Sequence, residues 1–212
     1  MGVTVILANG DIPSHSEAFK LLNNAEHIVC CDGAVSHLKQ MGYAPEIIVG
    51  DMDSISEADC IEFKDRIYSD ASEEYNDLQK ALKLCLSRGW NEITILGGFG
   101  KREDHSIANL SIMHSYSVKM NQDITKGTRI RMVTNFGVFT PIFNTTTFDT
   151  FPGQQVSVFS ISKGTKLTFQ GLKYPVVERI FDYLWEGSLN EAIGDFFSIE
   201  FSEGEVIVYQ TF

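Results

Sequence analysis

Two aspartates two positions apart, Asp51 and Asp53, stand in the segment Gly50-Asp51-Met52-Asp53-Ser54. The segment is too polar and too glycine-flanked for a core strand, so it reads as a loop in which both carboxylates can face one point. Two like charges that close raise each other's proton affinity unless a cation neutralises them. Carboxylate oxygens suit a hard cation, and Mg²⁺ is the economical choice. For any single Asp of this kind a turn or helix cap is the competing role. The argument for chemistry therefore rests on coincidence with other groups.

Those groups exist. Asp32 opens Asp32-Gly33-Ala34, and Asn9-Gly10-Asp11 closes the first apolar run. Asp77 begins a helical pattern, where a carboxylate also interacts well with the helix dipole, and Lys80 follows on roughly the same face. This pair can serve metal and phosphate. The segment Gly97-Gly98-Phe99-Gly100-Lys101-Arg102-Glu103-Asp104-His105 joins a pliable turn to two cations able to approach phosphate through backbone amides and a guanidinium. It has neither the Gly-Lys-Ser/Thr ending of a Walker loop nor a full Gly-x-Gly-x-x-Gly.

The elements that must hold these residues follow from periodicity. Val3 to Ala8, His27 to Cys31, Glu46 to Val49 and Ile93 to Leu96 read as buried strands. Helical patterns separate them, most clearly Asn76 to Arg88, where Leu78, Ala81, Leu82, Cys85 and Leu86 recur at three- and four-residue spacing before Gly89. Strands alternating with helices imply an α/β domain with a Rossmann-like parallel sheet and helices on both faces. In such a sheet ligands bind beyond the carboxyl ends of the strands, which is where the acids and glycines fall.

Beyond about Thr128 strand-like alternation takes over, as in Val156 to Ile161, Lys166 to Phe169 and Ser198 to Phe201. Turn signals at Gly153, Lys163-Gly164, Gly171, Gly187 and Glu203-Gly204 predict short antiparallel strands in an all-β sandwich or barrel-like domain. The division is expected within Met120 to Gly127, giving domains 1–127 and 128–212.

Composition narrows the class. The 212 residues suffice for one large or two small domains. A net charge of −11 opposes nucleic-acid binding, which needs clustered Lys and Arg. An anionic small substrate would need metal ions to screen the acids. The four cysteines, Cys30, Cys31, Cys60 and Cys85, form no Cys-x-x-Cys and read as reduced, mostly buried thiols. The run Met1 to Ala8 lacks a basic flank and stops too soon to span a bilayer, so the expected location is cytoplasmic, without a membrane partner.

In this order the motifs resemble those of the thiamin pyrophosphokinase family: Asp32-Gly33-Ala34, Pro45 to Ser54 ending in Gly-Asp-x-Asp-Ser, the Asp77-Leu78-Gln79-Lys80 helix start, and Gly97-Gly98 followed by Arg102, Asp104 and His105. The second half, including Gly171-Leu172-Lys173-Tyr174-Pro175, is similar to that family's β-rich domain. Two departures stand out. Asn76 occupies a position where the family usually has Thr, and Ser188-Leu189-Asn190 replaces a usual Ser-Asn.

The resemblance implies pyrophosphoryl transfer from ATP to thiamin, giving thiamin diphosphate and AMP, in a homodimer with shared active sites. It implies Mg²⁺ on Asp51, Asp53 and Asp77, with Asp32 near the metal or the attacking hydroxyl. Arg102 and Lys80 would contact phosphates. Asp104 would hold thiamin or orient Arg102, His105 would be a structural partner, and Asn109 would complete the rim. Ser188 or Asn190 would stand in for the altered thiamin-binding loop, with Tyr174 and Trp185 as stacking candidates. Two other readings compete: an Asp-x-Asp phosphatase using Asp51 as nucleophile, and a nucleotide or thiamin sensor that has lost the reaction.

Overall fold

The computed structural model describes residues 2–122 and 127–212. Met1 of the first apolar run and residues 123–126 of the expected linker lie outside the described residues. The chain divides into two compact units, Met1–Asn135 and Phe136–Phe212.

The first unit alternates strands and helices: β1 (Val3–Leu7), α1 (Ser16–Asn23), β2 (Ala25–Cys31), α2 (Val35–Gln40), β3 (Ile47–Gly50), α3 (Glu57–Glu62), β4 (Ile67–Ser69), α4 (Asp77–Ser87), β5 (Glu92–Leu96), α5 (Glu103–Asn121) and β6 (Arg129–Val133). The strands lie in the order β6-β5-β1-β2-β3-β4, and every neighbouring pair is parallel. Val5, Ile6 and Leu7 are all fully buried, and consecutive buried residues on a strand mean that both faces are covered. From β1 the chain runs outward through β2, β3 and β4, then crosses to the other flank of β1 for β5 and β6. The strand order thus reverses between β1 and β5, and the crevice at their carboxyl ends is the expected ligand position.

The division at Asn135 falls later than the 127/128 boundary drawn from sequence. Arg129 to Val133 has a partly alternating burial pattern like that of an antiparallel strand, yet it pairs parallel with β5 and belongs to the first unit. Alternation reports one more solvated face, and a parallel strand can have that too.

Helix α4 begins at Asp77 because Asn76 caps it. The Asn76 side chain accepts the Gln79 N–H at 2.9 Å, and the Gln79 side chain accepts the Asn76 N–H at 3.3 Å, a reciprocal capping box. Its apolar face buries Leu78, Ala81, Leu82, Leu84 and Cys85 against β1, β2 and β3. Each fully buried leucine contributes about 1.5–3 kcal/mol of transfer free energy, which fixes the helix and hence its first turn.

The second unit is antiparallel throughout: β7 (Gly137–Ile142), β8 (Thr146–Asp149), β9 (Gln155–Ser160), β10 (Lys166–Gln170), β11 (Arg179–Ile180), β12 (Asn190–Glu191), β13 (Phe196–Glu200) and β14 (Val206–Thr211). One sheet runs β12-β9-β14-β7 and the other β11-β10-β13-β8. Val156, Val158 and Val208 from the first meet Leu167, Phe169, Phe197 and Ile199 from the second in one core, which makes the unit a sandwich. The two-residue alternation read in the sequence is this inward set. Among the described residues no helix is long and apolar enough to cross a membrane.

Candidate active site

The acids gather where parallel strands end. Asp32 directly follows β2 and is 2% exposed. Its Oδ1 accepts the Gly33 N–H at 2.5 Å and its Oδ2 the Met52 N–H at 3.0 Å, so the loop after β2 is tied to the loop after β3. Met52 reaches that position with a φ of 70°, in the left-handed region that ordinary side chains avoid. The same bend lets the Asp53 N–H donate to Asp51 Oδ1 at 3.1 Å, while Ser54 Oγ donates to Asp53 Oδ1 at 2.7 Å. Strain of this kind persists where surrounding contacts over-determine it, as they do here.

Asp32, Asp51 and Asp53 each offer a carboxylate oxygen within 4.8 Å of the others. Burial pushes the Asp32 carboxyl up, the two N–H donors oppose this, and the charges on Asp51 and Asp53 push it further up. The Asp53 N–H holds Asp51 below the usual carboxylate range. Three hard oxygen donors at one point, two of them exposed and acidic, fit a divalent cation with a strong preference for oxygen.

Asp77 lies beside this cluster and is not one of the three. Since Asn76 supplies the cap, the Asp77 carboxylate is left for other work. Burial first, and the charge of Asp32 next, raise its pKa from the ordinary 3.8 to about 6, with Lys80 opposing and Asp51 adding. Lys80 is 4% exposed, and its Nζ sits 3.6 Å from Asp77 Oδ1. A buried ammonium beside several acids offsets part of their mutual repulsion.

The turn between β5 and α5 carries the other predicted residues. Arg102 donates two hydrogen bonds to Asp104, Nε–Oδ1 at 3.0 Å and Nη2–Oδ2 at 2.6 Å, and both side chains are exposed. Asp104 also accepts the His105 N–H at 2.9 Å, and the Arg102 guanidinium lowers its pKa to about 2. Orienting Arg102 is one of the two roles expected of Asp104. Asn109 donates its amide to the Gly98 carbonyl at 2.8 Å, bracing the glycine turn from α5, while His105 is exposed on the first helical turn.

The loops after β1 and β5 are zipped together: Gly10 N–H donates to Gly97 O and Asp11 N–H to Phe99 O, each at 2.7 Å. A Cβ on Gly10 would stand 2.2 Å from Phe99 O, so only glycine permits that approach. The sequence pattern of glycines after strands signalled this contact without showing its partner. Asn9, the first residue of the Asn9-Gly10-Asp11 turn, lies against both Gly33 and Lys101.

In the second unit Asn190 is 5% exposed. Its Oδ1 accepts the N–H groups of Tyr174 at 3.0 Å and Glu191 at 2.9 Å, and its Nδ2 donates to Tyr174 O at 2.9 Å. Its amide thus anchors the segment carrying Tyr174. Ser188 Oγ donates to Trp185 O at 2.6 Å. Leu189 between them adopts a φ of 60° and is 79% exposed. Tyr174 and Trp185 are exposed as well.

The Asp51-Met52-Asp53 pair follows β3, while the loop after β1 is Asn9-Gly10-Asp11. A phosphatase of the Asp-x-Asp type, expected to carry its nucleophile after the first strand, finds no support in this placement.

Comparison with known proteins agrees with the geometry. Residues 18–125 match the thiamin pyrophosphokinase catalytic domain and residues 137–209 the thiamin pyrophosphokinase substrate-binding domain. No curated protein matches the sequence. Among solved structures, thiamine pyrophosphokinase from Bacillus subtilis superposes with a TM-score of 0.79 at 21% identity, covering 99% of this chain and 98% of that one. Thiamin pyrophosphokinase from Candida albicans gives 0.80 at 20% identity, covering 99% and 89%. The yeast enzyme gives 0.78 at 17% identity, covering 99% and 86%. These likenesses establish the fold. With both domains matched in order along most of its length, the chain belongs to the thiamin pyrophosphokinase family.

Proposed function

We propose that the chain transfers the pyrophosphoryl group of ATP to the hydroxyethyl oxygen of thiamin, giving thiamin diphosphate and AMP. The observation that carries this reading is the ordered match of residues 18–125 and 137–209 to the catalytic and substrate-binding domains of one family. The convergence of Asp32, Asp51 and Asp53 supplies the chemistry that such a transfer needs.

In-line attack at the β-phosphorus forms the new O–P bond as the bond to the AMP oxygen breaks. The protein's work is to position two substrates and to stabilise charge on phosphate oxygens. Asp51, Asp53 and Asp32 would hold Mg²⁺, with Asp77 beside them. When bound, the ion neutralises negative charge on the phosphates. Arg102, pre-oriented by Asp104, and Lys80 contact the phosphates. The proton of the thiamin hydroxyl passes to a carboxylate, and among the described carboxylates Asp32 and Asp77 are the two whose proton affinity is raised.

Thiamin is a cation with flat rings, for which the aromatic side chains Tyr174 and Trp185 and an acidic chain of net charge −11 are suitable. We also infer a cytoplasmic enzyme acting as a homodimer with shared active sites. Its support is the family membership together with the exposure of Tyr174, Val177, Trp185, Leu189 and Phe196, large apolar side chains that a monomer would leave in water. Sedimentation velocity with and without substrates tests the dimer. Incubation with ATP, Mg²⁺ and thiamin, followed by separation of nucleotides and thiamin esters, tests the activity.

A further inference from the structure

The turn after β5 offers two cations to phosphate, Lys101 and Arg102, and Asp104 already holds the Arg102 guanidinium through two hydrogen bonds. Lys101 is differently placed. The Lys101 Nζ donates across the crevice to the neutral amide oxygen of Asn9 at 2.8 Å, joining residues far apart in the chain. Among the described residues no carboxylate forms an ion pair with it, so a neutral partner anchors its ammonium group. It also stands close enough to His37 on α2 to lower that imidazole's pKa, after the larger effect of burial. The ammonium group therefore sits where the loops after β1 and β5 meet, within electrostatic reach of the helix that follows β2.

The backbone at Lys101 is strained to put it there. Its φ is 60°, and the Arg102 N–H closes back onto Gly100 O at 2.7 Å around it. This is the form of γ-turn with a positive central φ, which is rare and costly for a side chain. A glycine would take the position without strain. A lysine kept there, steered by an uncharged partner toward the point where the strand order reverses, has the features of an anion-binding group.

We propose that Lys101 is a further phosphate-binding residue for the nucleotide, with Asn9 as the residue that positions it. The inference rests on the pyrophosphokinase reading for the identity of the anion, a triphosphate bound with Mg²⁺. A cationic thiamin ring would be repelled by the same group. The bland alternative is a clip that joins two loops and touches no substrate.

Calorimetric titration with a non-hydrolysable ATP analogue and Mg²⁺ separates these, using the full chain and the variants Lys101→Met, Lys101→Arg, Lys101→Gly and Asn9→Ala. Loss of a charge-assisted hydrogen bond predicts an analogue affinity about tenfold weaker for Lys101→Met, with Lys101→Arg retaining most of it. Lys101→Gly should unfold at a higher temperature, its strain relieved, while binding the analogue as weakly as Lys101→Met. Asn9→Ala should weaken analogue binding by a smaller factor and leave the KM for thiamin unchanged. Analogue affinity in Lys101→Met within about twofold of the parent, with a lowered melting temperature, would establish the clip and overturn the proposal. Thiamin-dependent AMP formation by the unaltered chain is measured alongside. Its absence would sink the pyrophosphokinase reading, whereas Lys101-dependent analogue binding would still stand.

Discussion

A Cβ built on Gly50 would lie 2.5 Å from the Asp32 carboxyl carbon, so the last residue of β3 must be glycine for Asp32 to occupy its place. The Asp32 side chain cannot swing away cheaply, because the Gly33 and Met52 N–H groups hold both of its oxygens. Gly50→Ala should therefore displace the Asp32 carboxylate. Overpacking of this kind costs about 1–3 kcal/mol. We expect a folded variant with unchanged circular dichroism, a lower melting temperature and thiamin diphosphate formation reduced by about a hundredfold. Retained activity would show that Asp32 is dispensable to the site.

Asp53 is exposed and meets Asp51 and Asp32 within 4.8 Å, so removing its charge relieves repulsion in the metal-free protein. Asp53→Asn should melt at the same temperature or slightly higher without metal. Added Mg²⁺ should raise the melting temperature of the parent chain, by mass action on the folded state, and have little effect on the variant. Turnover should be lost. An equal Mg²⁺-dependent rise in both proteins would remove Asp53 from the metal site.

Asp77 gives a pH signature. Its folded pKa of about 6 lies above the unfolded 3.8, so its contribution to stability is full below 3.8 and lost as pH rises through 6. In metal-free protein the melting temperature of the parent, relative to Asp77→Asn, should fall as pH is raised from about 4 to about 6.5 and then level off. Saturating Mg²⁺ should shrink that fall, because a nearby dication favours the ionised carboxylate. A difference that stays constant across this window contradicts the assignment.

Much of this was readable in the residue order because parallel sheets have simple grammar. Buried runs such as Val3 to Leu7 stand out, and the residue after each run lies on the ligand-binding rim. The Asn76 to Arg88 pattern gave α4 almost to its ends, since five buried apolar residues repeat along one face. Two strands were harder. β4 is a sheet edge with three residues and no buried one, and β6 partly alternates like a strand of the other unit. Individual aspartates were also ambiguous, because capping and metal binding favour the same residue. The structure separates them by showing that Asn76 caps α4 and Asp77 does not. No local pattern announces that Asn190 turns inward or that Lys101 takes a positive φ, since both depend on contacts distant in sequence.

Asn190, expected alongside Ser188 as an alternative thiamin contact, engages Tyr174 and Glu191 through its amide. Asn190→Ala leaves part-buried backbone groups of Tyr174 and Glu191 without these partners, which costs about 1 kcal/mol or more. Ser188→Ala removes one hydrogen bond at an exposed site and should stay within about 0.5 kcal/mol of the parent. Urea unfolding measures both. If Asn190→Ala is as stable as the parent, the anchoring role fails.

The central claim is that this chain moves a pyrophosphoryl group. Purified protein incubated with ATP, Mg²⁺ and thiamin should yield AMP and thiamin diphosphate in equal amounts, with no product when thiamin is omitted. Release of inorganic phosphate with thiamin left unconsumed would contradict it.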